Sequence, residues 1–383
     1  MDQVVRVSEA EVLPDLGDFP IDDGILAKFP PGTQVVSANR YGLSQWTITA
    51  RLHVRFPDGQ TNRYFLKTAK GEVGRRLMEG EFHAISALHN VDNLFAPKPH
   101  AWGKRSGPGP ETYFFLLQYI DMSDRFPNPN QLCRRLAQLH RNSVSPTGKF
   151  GFHINTCQGK TQQSLEWESS WAVLFTKMLK HVAQEDNKTN GHWEALDQLE
   201  SRIFSHVIPR LLGALESDGR SIKPCLIHGD LWEGNTGTTF DTGNIYTFDA
   251  ASFYAHNEME IGDWRCFYNN IHNKVYTRTY LKNYAPSEPK EEWDDRNRMY
   301  SIYYNILYSV NHGSQGTAIR QVAFEDMYYL VDKFAPFAAG EGPLRLDQSQ
   351  RVAFPTEADH TATKFGSAES SAYAAKMREG VGS

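Results

Sequence analysis

The segment Leu226-Ile-His-Gly-Asp-Leu-Trp-Glu-Gly-Asn235 concentrates chemistry-bearing side chains in ten residues. An apolar pair leads into His228-Gly229-Asp230, and Asn235 stands five residues after the acid. Downstream, Asn244-Ile-Tyr-Thr-Phe-Asp249 reads as a strand that ends in a second carboxylate. These residue types in this order fit phosphoryl transfer. Asp230 would accept or orient the proton of an attacking hydroxyl. Asn235 and Asp249 would offer oxygen ligands to a magnesium ion bridging the phosphates of ATP. Each residue alone has a plainer reading: Gly-Asp is a common turn, His228 can bond backbone, Asn235 can cap a helix, and Asp249 can simply end a strand. Three such residues in order, between two strand-like segments, make coincidence a poor explanation.

The Asp-x4-Asn spacing matches the catalytic loop of protein kinases, and Asp249 stands where their metal-binding Asp stands. Such a site also needs a cation for the α- and β-phosphates and an acid to position it. Lys67 closes the strand-like Tyr64-Phe-Leu-Lys67, and Glu81 follows 14 residues later in a helical pattern. Lys70 and Glu79 are rivals with the same chemistry. Lys67 is preferred because it directly follows apolar strand residues, so packing positions its stem. Ahead of it, Ser37-Ala-Asn-Arg-Tyr-Gly-Leu-Ser-Gln45 lies where a phosphate-covering loop belongs. With Gly42 as its one glycine it is no Gly-x-Gly-x-x-Gly loop, but amides near Gly42 and Ser44 could reach phosphate. An ordinary hairpin is the alternative.

The elements that must position these residues can be read from periodicity. Thr33–Ser37, Trp46–Phe56 and Tyr64–Lys67 are strands; Pro57-Asp-Gly-Gln60 is a turn, since Pro presets φ and Gly accepts positive φ. Leu77, Met78, Phe82, Ile85 and Leu88 recur at helical spacing, and Thr112 to Ile120 is a buried strand. Ser8 with Glu11, and Asp22-Asp23, could start short helices. Helices then dominate over Gln131–Arg141, Ser164–Glu185, Trp193–Glu216, Arg296–Val310 and Ile319–Lys333. The expected fold is α+β and bilobal. An N-terminal extension (1–32) precedes a β-rich ATP-binding lobe (33–122). A helical lobe (123–338) carries the catalytic loop and acceptor site, and a Gly/Ser/Ala-rich tail (339–383) reads as flexible, or as a strap on the helical lobe.

Composition narrows the function. Among 383 residues, 40 Lys+Arg against 45 Asp+Glu give a formal charge of -5, with no basic excess for nucleic acid. Hydrophobic residues at 40% and charged residues at 22% exclude wholesale disorder. No apolar run approaches the roughly 20 residues of a membrane span, and the first residues lack a signal-peptide layout, so a soluble cytoplasmic protein is expected. Cys133, Cys157, Cys225 and Cys266 are widely spaced and read as reduced thiols with no zinc pattern. The sequence fixes no oligomeric state.

The Leu226–Asn235 segment closely resembles the Leu-Leu-His-Gly-Asp-Leu-Trp-x-Gly-Asn signature of the fructosamine kinases, or ketosamine 3-kinases. These form part of the aminoglycoside-phosphotransferase-like branch of the protein-kinase-like fold. Glu79-Gly-Glu-Phe82, Leu117-Gln-Tyr-Ile-Asp-Met122, Leu136-Ala-Gln-Leu-His140 and Phe150-Gly-Phe152 resemble further family segments, and His256-Asn-Glu-Met-Glu260 resembles its His-Arg-Glu-x-Asp. The resemblance spans roughly residues 35 to 335. It implies ATP-dependent phosphorylation of the C3 hydroxyl of ketosamines, such as ribulosamine or fructosamine adducts on protein lysines or free amines. The 3-phosphate destabilises the adduct and regenerates the amine. By the same resemblance Asp230 is the base, Asn235 and Asp249 bind Mg2+, and Lys67 with Glu81 serves the phosphates. Gln118, Tyr119 and Ile120 would contact adenine, and Trp232 would wall the sugar, with His228 and Glu258 also on the substrate side. The chain departs from the family in having Asp249-Ala-Ala for Asp-Pro-Ala and Asn257 for Arg. The competing readings are a same-fold kinase of another small alcohol (an aminoglycoside, a choline-like compound or a secondary metabolite) and a non-catalytic nucleotide-binding protein.

Overall fold

A computed structural model describes residues 17–42, 46–123 and 125–346 of the chain. The Ser8–Glu11 cap, Ser44 and most of the tail lie outside the described residues. Asp22 caps a short helix α1 (Asp23–Leu26), its carboxylate accepting from the amides of Gly24 and Ile25. Strands β1 (Gln34–Arg40), β2 (Ile48–Arg55) and β3 (Thr61–Lys70) form a meander. The Pro57–Gln60 turn closes β2 onto β3, with Gly59 at φ +84° as its chemistry requires. Helix α2 (Gly71–Val91) follows, then β4 (Pro99–Lys104) and β5 (Thr112–Gln118). The five strands make one antiparallel sheet in the order β1-β2-β3-β5-β4.

Alternation along β3 and β5 gives the sheet two different faces. Leu66, Phe114 and Leu116 pack with Leu52 and Val54 on one side, where Phe19, Ile25 and Phe29 from the preceding segment complete a small core. Residues 17–32 are thus packed against the sheet through the same core as its strands. Ala69, Phe115 and Leu117 face the other way, onto Met78, Ile85 and Leu88 of α2, and join the main core. Lys67 lies on that second face by the same alternation, opposite Thr49 of β2 and Phe115 of β5.

The helical part is built on α3 (Pro129–Asn142), capped by Asn128, on α4 (Trp171–Asn190) and on α5 (Glu194–Arg202). A small hairpin pairs β7 (Cys157–Gln158) with β8 (Thr161–Gln162); the sequence pattern predicts helix from Ser164, but Glu168 still bridges to Phe150 and helix begins only at Trp171. The expected helix over Trp193–Glu216 is broken into α5, a π-helical turn at Ile203–Val207, a short α6 (Ile208–Leu211) and a 3-10 turn. Pro209, which cannot donate a helical hydrogen bond, sits in the first turn of α6.

Further short strands lie among and before these helices: β6 (Met122–Ser123), β9 (Cys225–Ile227), β10 (Thr236–Thr239), β11 (Ile245–Thr247) and β12 (Phe253–Ala255). Strand β10 lies between β11 and β6, and β9 pairs with β12. A one-turn α7 (Asn257–Glu260), then α8 (Lys274–Asn283), α9 (Trp293–Asn311) and α10 (Gly313–Phe334) complete the fold. At the start of the tail, Arg345 bonds Glu325 of α10 at 3.3 Å and Leu346 packs against the main core. The architecture is α+β: an antiparallel sheet with one helix, then a helical region. Among the described residues no helix is long and apolar enough to cross a membrane.

Candidate active site

Strand β3 delivers Lys67 into the cleft between the sheet and the helical region, where its side chain is buried. Its ammonium bonds Glu81 Oε1 at 2.6 Å and also the carboxylate of Asp249, 182 residues away in sequence. Glu81 reaches it because position 81 falls in the inward stripe of α2 with Met78, Ile85 and Leu88. The rivals are placed elsewhere: Glu79 pairs with Arg75 at 2.5 Å, and Lys70 is exposed at the helix entry. Burial works against the Lys67 charge, but Asp249 and Glu81 outweigh it and hold the ammonium above its ordinary range.

Strand β9 ends in the loop that presents Asp230. Gly229 takes φ +83°, and a Cβ there would stand 2.5 Å from the Ala251 carbonyl oxygen, so the turn requires glycine. Asp230 Oδ1 accepts from Gln158 Nε2 at 2.8 Å, and Oδ2 accepts from Asn235 Nδ2 at 3.0 Å. These donors fix the carboxylate against the cleft. Burial pushes the Asp230 carboxyl up to about 7; its two amide donors pull it down and neighbouring Asp249 adds to the rise. A carboxylate poised near neutrality suits a general base.

Asn235 ends a 3-10 turn (Glu233–Asn235), and its Nδ2 also donates to the Asp230 carbonyl at 2.8 Å. With its nitrogen committed to Asp230, its amide oxygen is left for a cation. Asp249 follows β11 at φ +57°, an uncommon conformation for a residue with a side chain. Its side chain is 37% exposed beside the Lys67 ammonium. Two oxygen donors suit a hard divalent cation that takes its remaining ligands from phosphate and water. No cluster of three or more His, Cys, Asp or Glu able to hold a metal occurs among the described residues.

His228 and Glu258, both expected on the substrate side, are placed inside the protein. His228 is fully buried: its Nε2 lies 3.0 Å from the Phe248 carbonyl and its Nδ1 accepts from the Asp230 amide at 3.3 Å. These two bonds tie its ring to the backbone on either side of the loop. Glu258 is likewise fully buried, in a two-pronged pair with Arg296 at 2.8 and 3.1 Å, and it accepts from the Ser287 amide at 2.8 Å. Its neighbour two positions on does serve the loop: Glu260 accepts from the amides of His228 (2.5 Å) and Gly229 (3.0 Å). The helix α7 turn, invisible in the local pattern, decides which of the two acids points there.

At the end of β5, Gln118 is exposed and its amide donates to the Lys98 carbonyl, while the Tyr119 amide donates to Arg63 at 3.3 Å. The Tyr119 ring meets Tyr41 edge-on at 5.6 Å, beside Gly42. Gly42, at φ +74°, turns the chain over Thr49, the strand partner of Lys67, and Thr49 Oγ1 bonds the Tyr41 carbonyl.

Beside Asp230 opens a cavity of about 110 Å³, walled by Trp232, Tyr268, Tyr308 and Trp46. The Trp232 ring lies across Gly234, where a Cβ would stand 2.2 Å from the indole. Trp232 is partly buried, so it is both a cavity wall and packed against the core. Gln158, Glu260, Asp263 and Tyr304 are missed by sequence reasoning. For Glu260 the signal was present, two residues from the one chosen; the other three come from distant elements with no spacing to betray them.

Residues 43–327 match the family model described as fructosamine kinase. The chain is 25% identical over 265 residues to the protein-ribulosamine 3-kinase, chloroplastic, of Oryza sativa subsp. indica, covering 69% of this chain and 72% of that one. It is 26% identical over 287 residues to the ketosamine-3-kinase of Mus musculus, covering 67% and 85%. Among solved structures, a candidate fructosamine-3-kinase from Haemophilus somnus 129PT superposes with a TM-score of 0.61 at 17% identity, covering 78% of this chain and 92% of that one. A thermostable mutant of aminoglycoside phosphotransferase APH(4)-Ia, in ternary complex with AMP-PNP and hygromycin B, superposes with a TM-score of 0.50 at 11% identity, covering 80% and 96%. These two likenesses concern the fold.

Proposed function

The chain belongs to the fructosamine kinase family, and on that premise we propose that it transfers the γ-phosphoryl group of ATP to the C3 hydroxyl of a ketosamine. The observation that carries the reading is the convergence of Lys67, Glu81 and Asp249 with Asp230 and Asn235 at one cleft, beside an aromatic-walled cavity that Asp230 lines. ATP with Mg2+, when bound, supplies the phosphoryl group and counter-charge for the phosphates. Lys67, held by Glu81, would meet the phosphates, with Asn235 and Asp249 as the ligands for magnesium. Ile120 is the candidate for an amide contact to adenine, because Gln118 and Tyr119 commit their amides to Lys98 and Arg63.

Asp230 takes the proton of the C3 hydroxyl as its oxygen bonds phosphorus and ADP leaves. Gln158 and Asn235 keep the carboxylate aimed, and Glu260 keeps the loop backbone rigid beneath it. Trp232 offers the sugar a flat apolar face. The phosphorylated adduct then loses its sugar, and the amine is regenerated. A panel of ribulosyl- and fructosyl-lysine, free ketoses, an aminoglycoside and choline, followed by ADP release with Mg-ATP, tests the assignment. The ketosamines are expected to be the preferred acceptors. Turnover only of choline or the aminoglycoside would replace the proposed substrate class while keeping the kinase.

A further inference from the structure

Three residues that line the cavity beside Asp230 each carry a buried polar atom without a hydrogen-bond partner among the described residues: Asp263 Oδ2, Gln158 Oε1 and the Tyr304 hydroxyl. Asp263 is 3% exposed and Tyr304 1% exposed. Asp263 Oδ1 is taken, accepting from Asn269 Nδ2 at 2.8 Å, which holds the carboxylate in place. Arg265, the nearest cation in sequence, bonds Asp294 at 2.7 Å instead. The orientation of Gln158 is set by its nitrogen donating to Asp230, so its oxygen is the atom left over. Among the described residues that line the cavity, none is a Lys or Arg. A buried carboxylate oxygen left alone is costly, and such exceptions call for a reason.

We propose that Asp263 Oδ2, with Gln158 Oε1 and the Tyr304 hydroxyl, forms a subsite for the protonated amine of the acceptor. The inference rests on the ketosamine reading above and specifies how that acceptor is chosen. Gln158 Oε1 can only accept a hydrogen bond, and Asp263 Oδ2 accepts once its carboxyl is ionised, so a cationic donor satisfies both. The rings of Trp232, Tyr268 and Tyr308 around them suit a cation, through their negative π-faces. Burial, together with the charges of Asp230, Glu260 and Glu233, holds the Asp263 carboxyl well above its ordinary range, a cost that a cationic ligand relieves. In a ketosamine three carbons separate the amine nitrogen from the C3 oxygen. A short molecule of that length can place its ammonium on Asp263 and its hydroxyl on Asp230, which line the same cavity. A free ketose leaves Asp263 Oδ2 buried and unpaired.

The test uses the full chain with Mg-ATP and two acceptors: ribulosyl-lysine, and its counterpart acetylated on the glycated nitrogen, which keeps the sugar but loses the charge. Wild type is expected to favour the cationic acceptor strongly. Asp263→Asn preserves the bond from Asn269 and is expected to lower kcat/KM for the cationic acceptor by roughly 10–100-fold, mostly in KM. The preference ratio should move toward one. Its melting temperature should not fall, because a neutral amide keeps the bond from Asn269 and brings no buried charge. Tyr304→Phe, a smaller change, should reduce the same ratio less. An Asp263→Asn enzyme with the wild-type ratio overturns the subsite while leaving the ketosamine reading standing. Wild type that phosphorylates neither acceptor overturns that reading and the subsite with it.

Discussion

Asp230 has both carboxylate oxygens held by amides, from Gln158 on one side and Asn235 on the other, so its position depends little on a bound substrate. Replacing it by Asn keeps the shape but removes the proton acceptor. Asp230→Asn is expected to lower turnover by ~10²–10⁴-fold with ATP affinity and melting temperature near wild type, read by steady-state kinetics and nucleotide titration. Asp249→Ala should behave differently. It removes a proposed magnesium ligand and a partner of Lys67, so the magnesium concentration for half-maximal activity should rise along with a loss of turnover. A magnesium titration that superposes on wild type would reduce Asp249 to a turn residue. Lys67, Glu81, Asp230, Asn235 and Asp249 were legible because each sits at a fixed spacing within a strand, helix or loop. Asp263 and Tyr304 were not, because burial without a partner leaves no trace in a sequence.

Strand alternation and helical periodicity explain why Lys67 meets Glu81: both follow from which face of β3 and α2 is apolar, and both faces could be read from the chain. The same logic failed where elements are short. Within the single turn of α7, Glu258 and Glu260 are indistinguishable by pattern, yet one pairs with Arg296 and the other grips the loop that presents Asp230. The long segment from Trp193 broke at a π turn and Pro209, and α8 escaped notice because its Tyr, Thr and Arg residues show little apolar periodicity. Strand β4, Pro-His-Ala-Trp-Gly-Lys, lacks alternation and is recruited as an edge by β5. The buried Glu258–Arg296 pair has a direct consequence. Arg296 is fully buried and relies on Glu258 for charge, so Glu258→Gln should destabilise the fold by ~3–5 kcal/mol. Denaturant unfolding should show that loss, while the acceptor KM of the remaining folded enzyme stays unchanged. A raised KM with intact stability would return Glu258 to the substrate side.

Two cores, one on each side of the five-stranded sheet, tie residues 17–32 to the sheet and the sheet to the helices. The bilobal plan was legible from the change of period along the chain, but the packing of Phe19, Ile25 and Phe29 onto the sheet was not, since those residues show no repeat. Distant electrostatics also shape stability. Burial pushes the Glu200 carboxyl up to about 8, Asp197 and Asp186 add to the rise, and Arg320 opposes it. Its folded pKa lies above the unfolded value, so the stability it contributes is present below ordinary carboxylate pH and is lost as pH rises through about 8. Glu200→Gln should therefore melt close to wild type at pH 5 and on the order of 5 °C above it at pH 9; equal differences at both pH values would contradict the assignment. What the fold is assembled to do is decided by mass spectrometry of a peptide bearing ribulosamine or fructosamine on a lysine, incubated with the enzyme and Mg-ATP. The account predicts that the glycated peptide gains one phosphoryl group and then returns to the unmodified lysine mass, and that Asp230→Asn abolishes both changes. A glycated peptide that never gains phosphate, from enzyme shown to bind Mg-ATP, would contradict it.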